Sequence, residues 1–182
     1  EIAAGHWTYR TRVKDVYPNL YPGGGADLTP AYLEEGDCRE FHRFWSDACG
    51  AHGGPELYPA LKRQCDDYFY IPARREHRGV GGVFFDDWSD GTFEEGFELM
   101  RSVGEGYLTA YPPILERRKD TPYTDRERDW QLVRRGRYVE FNLLQDRGTL
   151  FGLQAGGRVE CILASMPSEV RWRYEFTPEP GS

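Results

Sequence analysis

Two four-residue stretches, Thr92-Phe93-Glu94-Glu95 and Thr124-Asp125-Arg126-Glu127, constrain this chain more than any other feature. In each, the threonine hydroxyl can accept from the backbone N–H three positions on. The glutamate reaches back to the threonine's own N–H, so two donors left bare at a helix start are satisfied together. The spacing predicts helices of about 18 and about 12 residues from these points. A third start, Asp37 with Glu40, accompanies Cys38, Phe41, Trp45, Ala48 and Cys49 at helical spacing and predicts a helix over 37–50. PELYPALKRQCDDYFYI, residues 55–71, predicts another that ends near Pro72. GGGADLTPAYL reads as a glycine turn running into Thr29-Pro30, where threonine caps a helix and proline opens it.

Strand signals lie elsewhere. In HWTYRTRVK, residues 6–14, His6, Thr8, Arg10 and Arg12 alternate with Trp7, Tyr9, Thr11 and Val13, giving a polar face suited to lining a cavity. GVGGVFFDD, residues 79–87, reads as a buried strand behind glycines. Residues 137–145, 158–165 and 169–175 are expected to be three closely spaced antiparallel strands. On the first, Tyr138, Glu140 and Asn142 oppose Arg137, Val139, Phe141 and Leu143. A buried carboxylate left unpaired costs several kcal/mol at least, so Glu140 is expected to meet Arg158 or Arg171 across strands, or a ligand. Helices grouped mid-chain with strands at its end predict an α+β architecture.

Composition narrows the classes. The 182 residues suit one domain, taken as 1–182. No apolar run approaches the roughly 20 residues that a bilayer demands, and EIAAGHWTYR lacks the apolar core of a leader, so no membrane span and a cytoplasmic location are expected. Cys38, Cys49, Cys65 and Cys161 lie far apart, outside the paired spacing of zinc sites, and the histidines His6, His42, His52 and His77 are scattered. Free thiols and no required metal are expected. A net charge of −7 argues against a general nucleic-acid binder. The cations are chosen unevenly: Lys14, Lys62 and Lys119 are the only lysines among 23 basic residues. Arginine grips carboxylates at two points, although GC-rich coding would produce the same bias.

Taken in order, GGGADLTPAYL, EFHRF, CDDYFYI, HRGVGGVFFDD, RRGRYVEFNLLQDRGTLFGLQAGGR and SMPSEVRWRYEF resemble the oxygen-dependent coproporphyrinogen III oxidases, over residues 23–182. The resemblance implies a broad antiparallel β-sheet flanked by α-helices on both faces, and a homodimer. It implies an enzyme of haem synthesis that uses molecular oxygen to turn two propionates of coproporphyrinogen III into the vinyl groups of protoporphyrinogen IX, without an organic cofactor. It also implies that the chain is a fragment lacking N-terminal strands and the C-terminal end.

The family's site residues fall here on His6, Asp27 and Arg78 as catalytic residues, and on Thr8, Arg10, Gly156, Gly157 and Arg158 as substrate contacts. Thr8 departs from the asparagine that relatives carry. A porphyrinogen is a flat apolar ring edged by four carboxylates, so its site needs apolar walls and rim arginines. Asp27 would accept from pyrrole N–H groups and stabilise positive charge on the oxidising ring; the plain alternative is that it caps the helix expected at Pro30. For Arg78 and Arg158 the alternative is a surface ion pair. Two other functions stay open: a non-catalytic tetrapyrrole-binding remnant, and an arginine-rich nucleic-acid module around Arg134 to Arg137 with Tyr138 for stacking.

Overall fold

Close backbone approach decides where the main sheet forms. Strands β2 (Tyr21–Leu28) and β5 (Gly81–Phe85) pair antiparallel, with Gly25 opposite Phe84 and Asp27 opposite Gly82. A Cβ at Gly82 would stand 2.0 Å from the Ala26 carbonyl oxygen, and one at Gly25 would stand 3.0 Å from that of Val83. Only bare backbone fits there, so the glycines expected to form a turn at 23–25 instead lie inside β2. The computed structural model describes residues 6–10, 21–86, 88 and 90–178, with 6–10, 21 and 22 described by backbone pairing alone. Strand β1 (His6–Arg10) pairs antiparallel with β2 and completes a sheet of order β1-β2-β5. The predicted continuation of β1 through residues 11–14 lies outside the described residues.

The chain packs as two compact units, Glu1–Thr121 and Pro122–Ser182. In the first, α1 (Glu35–Gly53) and α2 (Leu57–Tyr68) precede a short ribbon of β3 (Tyr70–Ile71) and β4 (Glu76–His77); α3 (Phe93–Ala110) and α4 (Pro112–Arg118) follow β5. Ala26, Leu28, Val83 and Phe85 project from one sheet face into a core with Phe41, Trp45, Cys49, Leu61, Leu99 and Val103. The capping box at Thr92 forms as expected and opens an α3 of 18 residues. Pro30 does not open a helix: α1 begins at Glu35, and Asp37 turns to other work.

Asp37 is buried and takes Arg117 Nη2 at 3.0 Å and Arg118 Nε at 2.7 Å, tying α1 to α4. Burial is the largest influence on its carboxyl and pushes the pKa up, but the two arginines together outweigh it and hold the value below the ordinary 3.8. A lowered folded pKa means that the stability from this group is full above the ordinary aspartate value and drains away as pH falls through the lower one. Asp37→Asn is therefore expected to lower the melting temperature by a few degrees at neutral pH, and to flatten the loss of stability on acidification below about pH 4. Melting curves across pH test this; parallel wild-type and variant profiles would refute it.

The second unit corrects the expected architecture. No broad sheet flanked by helices on both faces is present among the described residues, which hold only the three-stranded sheet and the two-stranded ribbon. Residues 137–145, expected as a strand, are the end of α5 (Asp125–Leu144), 20 residues long instead of about 12. Buried Leu132, Gly136 and Val139, and likewise Val133, Arg137 and Phe141, recur at spacings of three and four, so the helical period prevails over the alternation. Leu143, expected on the apolar face, is exposed. Glu140 finds its cation one turn back, 3.6 Å from Arg137, and Arg171 goes to Asp129. Asn142 donates to the Tyr138 carbonyl at 2.8 Å.

Residues 158–165 hold α7 (Val159–Ile162) and turns, after α6 (Arg147–Gln154). Residues 169–175 form no strand; this stretch lies on α5, where the Arg171 amide donates to the Leu132 carbonyl at 2.9 Å and the Trp172 ring covers Gly136. A segment docked on a helix has no ladder to join.

Candidate active site

The second face of the first unit's sheet carries Gly25 and Asp27 on β2 and Gly82 and Phe84 on β5. Phe84 stacks on Tyr68 with ring centroids 4.5 Å apart and planes 10° from parallel, and Phe69 meets Phe84 edge-on at 5.8 Å. Arg78 arrives beside this aromatic group because its backbone N–H donates to the Phe69 carbonyl at 3.0 Å. Its guanidinium carbon then lies 3.9 Å from the centroid of the Phe69 ring.

From there Arg78 Nη2 donates to Asp27 Oδ2 at 2.5 Å, with side chains only 4% and 8% exposed. A buried pair of opposite charges repays its desolvation only when held in good geometry. The cation over Phe69 and the strand pairing of Asp27 opposite Gly82 supply that here. Thr29 Oγ1 lies at the edge of hydrogen-bond reach of the same carboxylate oxygen, 3.5 Å away. Asp27 therefore faces Arg78 and caps no helix, and Arg78 forms an ion pair that is buried, not at the surface.

Cys65 on α2 is fully buried and feels the charge of Asp27. Burial pushes its pKa far up, and the charges of Asp27 and Asp66 add to the effect, so it stays protonated at neutral pH. Burial alone likewise raises the Cys49 thiol to about 11. All four cysteines are free, as expected.

Of the remaining expected site residues, His6, Thr8 and Arg10 stand opposite Gly25, Gly23 and Tyr21 in the strand register, so His6 pairs two residues from Asp27. Gly156, Gly157 and Arg158 belong to the second unit. There the expected glycine turn forms between two helices, with Gly156 in the left-handed region at φ 71° and Arg158 exposed at the N-cap of α7. The arginine run considered for nucleic acid is drawn into the same unit's packing: Arg137 is buried with Glu140, and Arg134 lies over Trp130 at 5.8 Å.

A family model described as Coproporphyrinogen III oxidase matches residues 4–182. The chain belongs to that family. Membership carries coproporphyrinogen oxidase-type function at the level of the family, an oxidoreductase activity of porphyrin biosynthesis. Asp27 and Arg78, expected from the resemblance as a carboxylate and an arginine of the site in the GGGADLTP and HRGVGG blocks, are joined by the fold across 51 positions of sequence.

Sequence reasoning did not single out Tyr68, Phe69 and Phe84, the aromatic surroundings of the pair; the consecutive rings in CDDYFYI and GVFFDD were the available signal. No group of three or more His, Cys, Asp and Glu side chains among the described residues is placed to hold a metal ion. His42 is engaged with Tyr58 at 2.6 Å and His52, near the end of α1, with Ser102 at 2.7 Å. No helix among the described residues is long and apolar enough to cross a membrane.

Proposed function

We propose that this chain carries the catalytic site for oxygen-dependent oxidative decarboxylation of coproporphyrinogen III to protoporphyrinogen IX. The observation that carries the reading is the Asp27–Arg78 pair, buried among aromatic rings on a glycine-bearing sheet face, at the positions that the resemblance gives to a carboxylate and an arginine of the site. Each propionate loses carbon dioxide, two electrons and a proton to become a vinyl group. One molecule of oxygen takes the four electrons of two such steps and, with their two protons and two more from solvent, becomes two waters.

Arg78 is a propionate grip held in reserve by Asp27. When a propionate takes the guanidinium, the charge on Arg78 stays matched, and the displaced Asp27 carboxylate turns to the pyrrole N–H groups. As the macrocycle gives up electrons, a fixed carboxylate in a dry, aromatic-walled place stabilises the positive charge that develops. His6, whose register position adjoins Asp27, is the acid–base residue of the scheme, and Thr8 and Arg10 are its neighbours along β1. Gly156, Gly157 and Arg158, on the second unit, are positions that the resemblance gives to substrate contacts, and Arg158 is exposed there. The acting form is a homodimer in the cytoplasm.

The decisive experiment incubates the purified chain with coproporphyrinogen III in air and without oxygen, then oxidises the tetrapyrroles and separates them by fluorescence. Protoporphyrin in air alone is the expected result. Binding of the substrate without vinyl formation would refute catalysis and favour a tetrapyrrole-binding remnant.

No metal and no organic cofactor are needed in this scheme. Turnover is accordingly expected to stay within about twofold of its starting value after exhaustive chelation, because oriented side chains supply the electrostatics. Loss of activity on chelation that manganese restores would overturn this.

A further inference from the structure

We infer that Asp66, gripped by Lys62, is a positioning residue that seats Gly81 and thereby keeps Gly82 opposite Asp27. The inference rests on reading the Asp27–Arg78 pair as substrate-contacting. The ladder that places Asp27 carries few markers of its own, since Gly23, Gly24 and Gly25 lie in β2 and Gly81 and Gly82 in β5. Glycine-rich strands slip easily, because few side chains tell one register from the next. A two-residue slip keeps every side chain on its own face and still moves Gly82 away from Asp27. Helix α2 supplies a stop from outside the sheet.

Asp66 stands near the end of α2, against the negative end of the helix dipole, with no basic residue in the last turn to offset it. Its place does nothing for the helix. Lys62, one turn back, brings Nζ to 2.5 Å from each of the two Asp66 carboxylate oxygens, and a carboxylate held at both oxygens keeps one orientation. It faces Gly81. A Cβ on Gly81 would stand 2.5 Å from Asp66 Oδ1 and 3.1 Å from Lys62 Nζ, and Gly81 adopts the left-handed φ of 74°. Both the space and the backbone conformation call for a residue without a side chain. A slip that brought Val80 or Val83 under Asp66 would drive a branched side chain into the ion pair. Gly81 pairs with Leu28, and the Val80 N–H donates to the Leu28 carbonyl at 2.9 Å, so the seat holds the rung next to Asp27 and Gly82.

Three variants test this: Asp66→Ala, which removes the seat; Asp66→Asn, which keeps its shape and an acceptor for Lys62 while losing the charge; and Lys62→Met, which frees the carboxylate to turn. Cross-strand NOEs between Asp27 and Gly82 are read by NMR, with those between Gly24 and Phe85 at the far end of the same ladder as the control. In Asp66→Ala the Asp27–Gly82 NOEs are expected to weaken while the Gly24–Phe85 NOEs hold. With coproporphyrinogen III, kcat is expected to fall roughly tenfold, the scale of a small misplacement of a charged group, and KM to change less. Asp66→Asn restores both readouts, and Lys62→Met falls between. Melting temperatures close a cycle: Gly81→Ala is expected to cost about half as much in the Asp66→Ala background as in the wild type, because the clash is gone and only the backbone strain is left.

Unchanged Asp27–Gly82 NOEs in Asp66→Ala, an equal loss at Gly24 and Phe85, an Asn variant as impaired as the Ala variant, or an equal cost of Gly81→Ala in both backgrounds would each overturn the inference. A wild-type chain that turns over no substrate would instead overturn the functional reading, and the NOEs and the melting cycle would still decide the role of Asp66.

Discussion

Asp27→Ala is expected to cut turnover by roughly 10²–10³-fold, the loss typical when a preoriented charge is taken from a site where charge develops. It is also expected to cost about 3–5 kcal/mol of stability, because Arg78 at 4% exposure is left as an uncompensated buried cation. The two losses have different origins, and a double variant separates them. Asp27→Leu with Arg78→Met removes both charges and puts apolar side chains of similar volume beside Phe69 and Phe84. Its stability is expected to return to within about 1 kcal/mol of the wild type, since apolar replacement of a buried pair is often neutral, while turnover stays lost. Denaturant unfolding and product formation are measured side by side. Near-normal turnover in Asp27→Ala, or recovery of turnover in the double variant, would remove the pair from the mechanism.

Gly82→Ala is expected to cost roughly 3 kcal/mol or more, at the upper end of what overpacking exacts, because the added methyl meets the Ala26 carbonyl oxygen at 2.0 Å and neither backbone can yield alone. As Gly82 stands opposite Asp27, the same methyl displaces the carboxylate from Arg78, and activity is expected to fall with stability. Gly36→Ala is the control. Nothing lies within 4 Å of a Cβ there, in the first turn of α1, so the exchange is expected to be neutral or to stabilise by up to about 1 kcal/mol. Urea unfolding compares the two, and equal midpoints would mean that β2 and β5 do not approach as closely as described.

Several parts of the fold were legible because the rules that make them are local. The capping boxes at Thr92 and Thr124 both form, since each needs only four consecutive residues. The spacing of Phe41, Trp45 and Cys49 placed a buried stripe on α1. GVGGVFFDD was recognisable as a buried strand because β-branched and aromatic residues behind glycines suit little else, and β5 lies within it. The error at residues 137–145 has a physical source as well. An alternation of eight or nine residues also contains pairs at three- and four-residue spacing, and the capping box at Thr124 had already started a helix with nothing to stop it before Gln145.

By itself, then, the sequence determined where α3 and α5 begin and which stripe of α1 is buried, because each is a matter of residue type and short spacing. Only the tertiary structure decided that Asp27 and Arg78 neutralise one another, that the triple glycine runs within a strand, and that the arginine at 137 is buried on a helix. These outcomes depend on which surfaces meet. A charge separated from its partner by 51 residues has no local signal of that partner; the pairing of β2 with β5 and the approach of Arg78 past Phe69 bring them together.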